Sequence, residues 1–308
     1  MLARRALVLF ALLPTLSLAC DLGEACPDAA APPHGWADAG PAVIPGADGA
    51  PTGDPTPPVG DGSLEVRLRG DLTPRVLDDG LVGQTPQDLL ISISRVDLLR
   101  SADDPAPVRV LDYAYGSPAV DMSTETVLGA RATAELPAGT YSHARMLLAA
   151  TSFTVDVVVH DVMMVGLPGE MAVVGAFSDT VIDGSPWSAG QAAYTVWSDL
   201  DTTDLVGDLP PLPGTPDGTV VQDALGTWLV LPLDHPLTIA PGDAAGHRLT
   251  IVLRTYGSFR WQDQAEPADL ALPGDEGWID GAFDVDTFFG ASEPMFGCDA
   301  TGYQALVE

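Results

Sequence analysis

Apolar and polar residues alternate over many short stretches of this chain, from Ser63 to its last residue. The stretch 64–69 alternates in the period of a strand with one buried face. Further alternating or β-rich stretches are 88–100, 108–115, 140–148, 153–160, 171–177, 195–197, 283–289 and 303–307. Glycine and proline separate them, and no segment keeps helical spacing over three turns. The pattern predicts an all-β fold, an antiparallel β-sandwich.

Three of these patterns give finer predictions. In the stretch 88–100, Ile91, Ile93 and Val96 are expected to face inward. Residues 219–223 and 227–231, joined through 224–226, predict a hairpin. The longest strand signal is 247–261, with a bend or bulge at Gly257 and Ser258.

About 245 residues follow residue 62, which suits one elaborated sandwich or two smaller ones. A Gly-Leu-Pro-Gly stretch at 166–169 marks a soft boundary. We therefore predict two abutting β units, at 63–168 and 169–308, with a single larger unit as the alternative.

The first 19 residues form a predicted secretory signal peptide. Arg4 and Arg5 precede a short apolar run, and Ser17-Leu-Ala19 stands directly before Cys20. The run is shorter than the roughly 20 apolar residues of a membrane-spanning helix. A cysteine at this point predicts a bacterial lipoprotein, lipid-anchored to the cell-envelope membrane through Cys20. The usual order of the residues at 17 and 18 is swapped, and the alternative is a secreted or periplasmic soluble protein.

Residues 20–62 are rich in proline, glycine, alanine and aspartate. They lack the apolar periodicity that a folded core needs, so we predict a disordered tether. It would hold the β units away from the membrane.

A set of motifs between residues 63 and 159 resembles an uncharacterised bacterial lipoprotein domain family of unknown function. The motifs are Ile91-Ser-Ile-Ser-Arg-Val96, Val120-Asp-Met122 and Leu136-Pro-Ala-Gly-Thr-Tyr141 with Arg145. In the last of them, Gly139 is free to adopt positive φ in the turn before the strand. The stretch 128–132 departs from the family, which shows a more apolar strand there. The resemblance implies a transthyretin-like or immunoglobulin-like sandwich and brings no catalytic residue or ligand.

The net charge of the chain limits the kinds of partner that we expect it to bind. The chain carries a formal charge of −30, and it contains arginine but no lysine. Such a field repels phosphate backbones, so no nucleic acid partner is expected. The acidity suits a soluble exported protein.

Three cysteines occur in the whole chain. If Cys20 carries lipid, Cys26 and Cys298 remain as a disulfide candidate in an oxidising compartment. The alternatives are two free thiols, or a bridge between Cys20 and Cys26.

The sequence contains no catalytic motif, neither a G-x-S-x-G elbow, an H-E-x-x-H pair nor a phosphate loop. Its five histidines, at positions 34, 143, 160, 235 and 247, are scattered. We therefore expect no enzyme activity and no catalytic residue. The alternative is a hydrolase whose site is assembled only in the fold.

Two acidic stretches are candidates for Ca²⁺. One is a predicted loop with Asp199, Asp201 and Asp204, and the other contains Asp280, Asp284 and Asp286. Oxygen-rich loops suit Ca²⁺ in exported proteins, although neither stretch matches an EF-hand. The alternative is a set of solvated acidic turns, with no cofactor.

Tryptophans cluster in the second half of the chain. Trp228 and Trp261 lie in alternating stretches and are expected in the core. Trp187 and Trp278 lie beside glycine and proline in predicted loops, so they are the candidates for stacking on a ligand.

Three function classes follow. The leading one is a cell-envelope protein acting as a structural or binding module, with the membrane and an extracellular glycan or protein as partners. The second is a calcium-dependent carbohydrate- or matrix-binding module. The third is the hydrolase named above.

Overall fold

Strands account for nearly all of the regular structure, as the alternating sequence predicts. The computed structural model describes residues 62–76, 81–160, 166–198, 202–209, 212, 219–261, 283–286, 294–296 and 303–308. The strands in these ranges are β1 Ser63–Asp71, β2 Val82–Gln84, β3 Gln87–Leu99, β4 Val108–Asp112, β5 Val120–Asp121, β6 Thr126–Ala132, β7 Gly139–His160, β8 Gly166–Ala176, β9 Thr180–Ile182, β10 Ser185–Trp187, β11 Gln191–Ser198, β12 Thr202–Asp208, β13 Thr219–Asp223, β14 Gly226–Ile239, β15 His247–Arg254, β16 Phe259–Trp261, β17 Asp284–Asp286, β18 Pro294–Phe296 and β19 Tyr303–Val307. One turn of 3-10 helix at Thr133–Glu135 is the only helical element of the described residues. The all-β prediction is confirmed, and the arrangement is sandwich-like.

Most strands belong to one large sheet. Its main path runs β12-β11-β8-β7-β14-β19-β15-β1-β6, and β3, which also carries β4 and β5, pairs with β7. Among the described strands, pairing is parallel between β1 and β15, between β14 and β19, and between β17 and β7, and antiparallel elsewhere. Within these ranges we find no helix with the length and apolar character to cross a bilayer.

The longest strand, β7, has 22 residues where the sequence predicts two separate strands. The residues between the two predicted strands, 149–152, contain no glycine or proline to turn the chain. One edge of β7 pairs first with β14 and then with β8, while its other edge pairs with β3. This strand therefore connects most of the sheet.

The predicted boundary at 168/169 falls inside β8, which pairs with β7 along its whole length. At the far side of the sheet, β1 lies parallel to β15, with Val66 beside Leu249. Strands from both predicted units therefore share one sheet, and the described residues all fall within one compact unit.

The Leu136–Tyr141 motif places a tyrosine in the core. Tyr141 is fully buried, and its hydroxyl donates to the Pro137 carbonyl oxygen at 2.6 Å. This bond satisfies the phenol where the chain turns into β7. Gly139 does not use its conformational freedom, because it begins β7 and lies outside the set of positive-φ glycines.

Glycine is needed in the predicted hairpin. β13 and β14 pair in register from Asp223 and Gly226 outward, which confirms the hairpin. Gly226 has a φ of 129°, and a Cβ at this position would lie 2.5 Å from the Phe177 carbonyl oxygen. The bend predicted at Gly257 is also confirmed, since this residue has a φ of 61° between β15 and β16.

The core is built from the alternating apolar positions. Ile91, Ile93 and Val96 are buried, as predicted. Four buried aromatic residues pack with ring centroids 5.0–5.9 Å apart, namely Phe153, Phe259, Trp261 and Phe283. The prediction that Trp228 and Trp261 lie in the core is confirmed, at 1% and 2% exposure.

Part of one acidic stretch, from residue 202 onward, is a strand where the sequence predicts a loop. Residues 202–208 form β12, which is antiparallel to β11 over its full length, so Asp204 lies in a strand. The β-branched residues Thr202, Thr203 and Val206 favour an extended backbone, and this preference outweighs that of the aspartates for a turn.

Candidate functional site

Several predicted site residues lie outside the described residues. They are Cys20, Cys26, Cys298, Asp199, Asp201, Asp280 and Trp278. Lipidation at Cys20, the disulfide between Cys26 and Cys298 and ligand stacking at Trp278 therefore stay predictions.

The remaining calcium candidates occupy two strands. Asp204 is exposed on β12, and its Oδ1 accepts a hydrogen bond from Thr195 Oγ1 at 2.8 Å. Asp284 and Asp286 lie on β17, which pairs with the end of β7. Within the described ranges, no three histidine, cysteine or acidic residues come together as a metal site. The calcium hypothesis therefore depends on stretches that include residues outside these ranges.

Trp187 is not in a loop. It ends the short strand β10 and packs, half-buried, against a small cluster that contains Ala150, Val174 and Ile182. Pairing of β10 with β9 holds Trp187 in a strand, and contact with the apolar cluster removes part of the indole from water. Part of the ring stays exposed, so stacking on a ligand remains a prediction for this residue.

One histidine forms a close pair with an acid. His247 Nε2 lies 2.9 Å from Asp243 Oδ2, and this carboxylate also accepts the Ala245 backbone N–H at 2.9 Å. The hydrogen bond from His247, followed by that from Ala245, holds the pKa of Asp243 below its usual value. Among the described hydrogen bonds, none joins His247 to a serine or cysteine, the partner that a hydrolytic triad would need.

Two further histidines, His143 and His235, bond to their sequence neighbours. His143 Nδ1 lies 2.8 Å from Ser142 Oγ, and His235 Nδ1 lies 3.0 Å from Asp234 Oδ2. These two pairs belong to β7 and β14.

Sequence reasoning missed a buried acid between two arginines. The carboxylate of Asp97 is completely buried and accepts Arg95 Nε at 2.6 Å and Arg145 Nε at 2.8 Å. Both guanidinium groups also lie over the Trp228 ring, at 5.5 Å and 4.2 Å from its centroid. The carboxylate and the aromatic face together compensate the charge of the arginines.

A second buried acid is also paired with two arginines. Glu65 is 1% exposed and pairs with Arg67 on its own strand and with Arg248 on β15. In both clusters the acid and one arginine are two residues apart on a strand, which places them on one face. An acid and an arginine at i, i+2 in a predicted strand are therefore the sequence signal from which these two clusters could have been predicted.

A cavity of ligand size lies on the described surface, and we call it the β7–β16 cleft. Its volume is about 600 Å³, within the range of small-molecule sites. The apolar part of its wall is made by Val157, Val158, Pro168, Trp261 and Phe283. A second cavity beside Phe177, of about 150 Å³, is below that range.

Polar groups line the rest of the β7–β16 cleft. The side-chain amide of Gln84 pairs with the backbone of Asp156, donating to its carbonyl oxygen at 2.6 Å and accepting its N–H at 3.1 Å. Glu170 lies directly opposite Asp156 in the β7–β8 ladder. Two carboxylates therefore flank an apolar wall, an arrangement that favours neutral or cationic ligands over anions.

Comparisons with known proteins add no relative, since no family model, no curated protein and no solved structure matches this chain.

Proposed function

We propose that this chain is an exported bacterial envelope protein, lipid-anchored through Cys20, that acts as a binding or structural module without turnover. The observation that carries the proposal is the leader, in which an apolar run and Ser17-Leu-Ala19 stand directly before Cys20. The resemblance of residues 63–159 to an exported lipoprotein domain family supports the same localisation.

The junction between the proposed tether and the β fold supports a display role. Gly62 is the last residue of the predicted tether, and its carbonyl oxygen accepts the Thr133 backbone N–H at 2.9 Å. The Thr133 hydroxyl lies 2.9 Å from the same oxygen and 2.6 Å from the Asp243 carbonyl oxygen. At the start of the sheet, the chain is thus hydrogen-bonded to the turn that contains Thr133, which in turn contacts the turn at Asp243. Such an attachment suits a folded domain carried on a stalk.

Two features support binding rather than chemistry. The β7–β16 cleft has the volume of a small-molecule site. His247 Nε2 is hydrogen-bonded to Asp243, and the rings of His143 and His235 are each bonded to a sequence neighbour. An envelope protein with a cleft and a stalk is suited to capturing a ligand near the membrane.

A second candidate function is calcium-dependent carbohydrate or matrix binding. It is favoured by the position of β17, which carries Asp284 and Asp286 and follows directly after Phe283 in the cleft wall. In this alternative, Ca²⁺ held by the acidic stretch would stiffen the rim of the cleft.

The proposal is tested by expressing the full chain in a Gram-negative host with radioactive palmitate. We expect the parent chain to be labelled and to sediment with the membranes, whereas Cys20→Ala is unlabelled. Cys26→Ala is the matched control and keeps the label. Label retained in Cys20→Ala, or a parent chain found in the cytosol with its leader uncut, would refute the proposal.

A further inference from the structure

The edge of the sheet formed by β12 is open in the described structure. One side of β12 pairs with β11 over seven residue pairs, from Thr202 to Asp208. β12 stands at the end of the sheet path, and no described strand pairs with its other side. In the middle of β12, at Asp204 and Val206, such an edge presents backbone groups to a possible partner strand.

The direction of these backbone groups follows from the ladder. The Leu209 backbone N–H donates to the Gly190 carbonyl oxygen at 2.7 Å. Hydrogen-bonded and non-hydrogen-bonded pairs alternate in an antiparallel ladder. Continuing that alternation along β12 directs the backbone groups of Leu205 toward β11 and those of Asp204 and Val206 away from the sheet.

The side chains at this edge are unusual for a solvent-exposed strand. Val206 is 74% exposed and Leu205 is 48% exposed. Asp204 and Asp208 stand two residues on either side of Val206, so the three share one face of the strand. The edge therefore offers an apolar centre between two negative charges.

Tyr194 closes one end of this edge. Its hydroxyl donates to the Asp208 carbonyl oxygen at 2.6 Å, and its ring passes over Gly207, where a Cβ would lie 3.6 Å from Tyr194 Cε2. Burial raises the pKa of Tyr194 to about 12. The phenol is protonated at physiological pH with or without this shift, so its hydroxyl can donate. The open part of the edge is centred on Asp204 and Val206.

We propose that β12 binds an extended segment of a partner protein by strand addition. The segment carries basic residues opposite Asp204 and Asp208 and an apolar residue opposite Val206. Because the pattern basic-x-apolar-x-basic is symmetric about Val206, it fits a parallel or an antiparallel partner. This inference deepens the proposed binding role and rests on it, but its test uses purified protein and does not depend on lipidation.

Charge favours a basic partner over a second copy of this chain. The chain carries −30, so two copies repel one another. In a self-paired edge centred on Val206, Asp204 would face the second copy's Asp208, and like charges directly opposite are destabilising. A basic segment instead places opposite charges across the new ladder.

The test uses the purified exported chain and a fluorescein-labelled peptide, Thr-Arg-Thr-Val-Thr-Arg-Thr with blocked termini. Fluorescence anisotropy is expected to show saturable binding that weakens as salt is raised. The matched peptide, with both arginines replaced by glutamate, is expected not to bind. Equal binding of the two peptides, or no binding of the arginine peptide at low salt, would overturn the proposal.

Two variants test whether the peptide binds at β12. Val206→Pro removes one outward N–H and is expected to weaken binding by about tenfold, equivalent to one hydrogen bond. The double variant Asp204→Asn with Asp208→Asn keeps every backbone group and is expected to weaken binding and reduce its salt dependence. It decides the outcome if Val206→Pro does not fold.

Unchanged affinity in the double variant would refute the site. Sedimentation of the parent chain tests whether a second copy of this chain, rather than a basic segment, occupies the β12 edge. Concentration-dependent dimers that Val206→Pro abolishes would show that a second copy, and not a basic segment, occupies this edge. A monomer at all concentrations supports the proposal.

Discussion

The guanidinium carbon of Arg145 lies 4.2 Å from the centroid of the Trp228 indole ring. The same guanidinium donates from Nε to Asp97 Oδ2 at 2.8 Å, so the charge lies between an aromatic face and a buried carboxylate. Trp228 is on β14, Arg145 on β7 and Asp97 on β3, and these strands are neighbours in the sheet. The contact therefore binds three strands through side chains in addition to their ladders.

Removing the carboxylate is expected to be costly. Asp97→Ala leaves Arg95 and Arg145 partly buried without their common acid. Breaking a buried ion pair from one side costs about 3–5 kcal/mol, so we expect the free energy of unfolding to fall by about 3 kcal/mol. Denaturant unfolding followed by tryptophan fluorescence measures the change.

The matched control is Asp112→Ala, because Asp112 forms an exposed ion pair with Arg109. Exposed pairs contribute at most about 1 kcal/mol, so this variant should stay close to the parent. Equal effects of Asp97→Ala and Asp112→Ala would show that the buried cluster has no special weight in stability.

Tyr141 gives a second test of the core. Tyr141→Phe keeps the ring but loses the hydrogen bond to the Pro137 carbonyl oxygen. We expect a loss of about 1 kcal/mol in the free energy of unfolding, the usual contribution of one internal hydrogen bond. Tyr115→Phe serves as control because Tyr115 is 71% exposed. If both variants are as stable as the parent, the Tyr141 hydroxyl does not support the turn before β7.

Part of this fold could be predicted from sequence because its cause is local. The alternation of Leu64, Val66 and Leu68 needs only the period of a strand, and all three side chains are buried. The turn at Gly226 likewise follows from a residue that accepts positive φ.

What could not be predicted depends on which strands meet. β1 pairs in parallel with β15, whose residues lie more than 180 positions away, and no local pattern encodes that partner. Asp97 faces Arg145 only because β3 and β7 pair in one register. At Asp204 the local pattern is misleading. The neighbouring aspartates favour a turn, whereas pairing with β11 holds this residue in an extended strand.

Stability is expected to depend on pH through Asp243. The folded-state pKa of Asp243 is lowered, mainly by the hydrogen bond from His247, while an unfolded aspartate titrates near about 3.9. Its contribution is fully present above the unfolded value and is lost as pH falls through the folded pKa. Urea unfolding measured as the pH is lowered below about 4 should therefore show declining stability.

Asp243→Asn is expected to lose less stability on acidification than the parent chain. His247→Gln removes the largest cause of the shift and should reduce the same loss. Some acid sensitivity remains, because the pKa of Asp71 is also lowered, mainly by its hydrogen bond with Thr73. Equal losses of stability in Asp243→Asn and the parent chain over that pH range would contradict this contribution of Asp243.

Calcium distinguishes the two proposed functions. For the leading one we expect millimolar Ca²⁺ to leave the Tm of the exported chain unchanged relative to EDTA. The reason is that the leading proposal takes the acidic stretches as solvated turns that hold no ion. A rise in Tm that EDTA reverses, and that Asp284→Asn with Asp286→Asn abolishes, would instead favour calcium-dependent binding.

The central claim is that a membrane-anchored stalk displays this β fold outside the cytoplasm. Mass spectrometry of the N-terminal peptide, released from membrane-extracted protein, tests it most directly. We predict a peptide that begins at Cys20 and carries the added mass of a diacylglyceryl group. An unmodified Cys20 at the start of the peptide, or a peptide that still begins at Met1, would contradict the account.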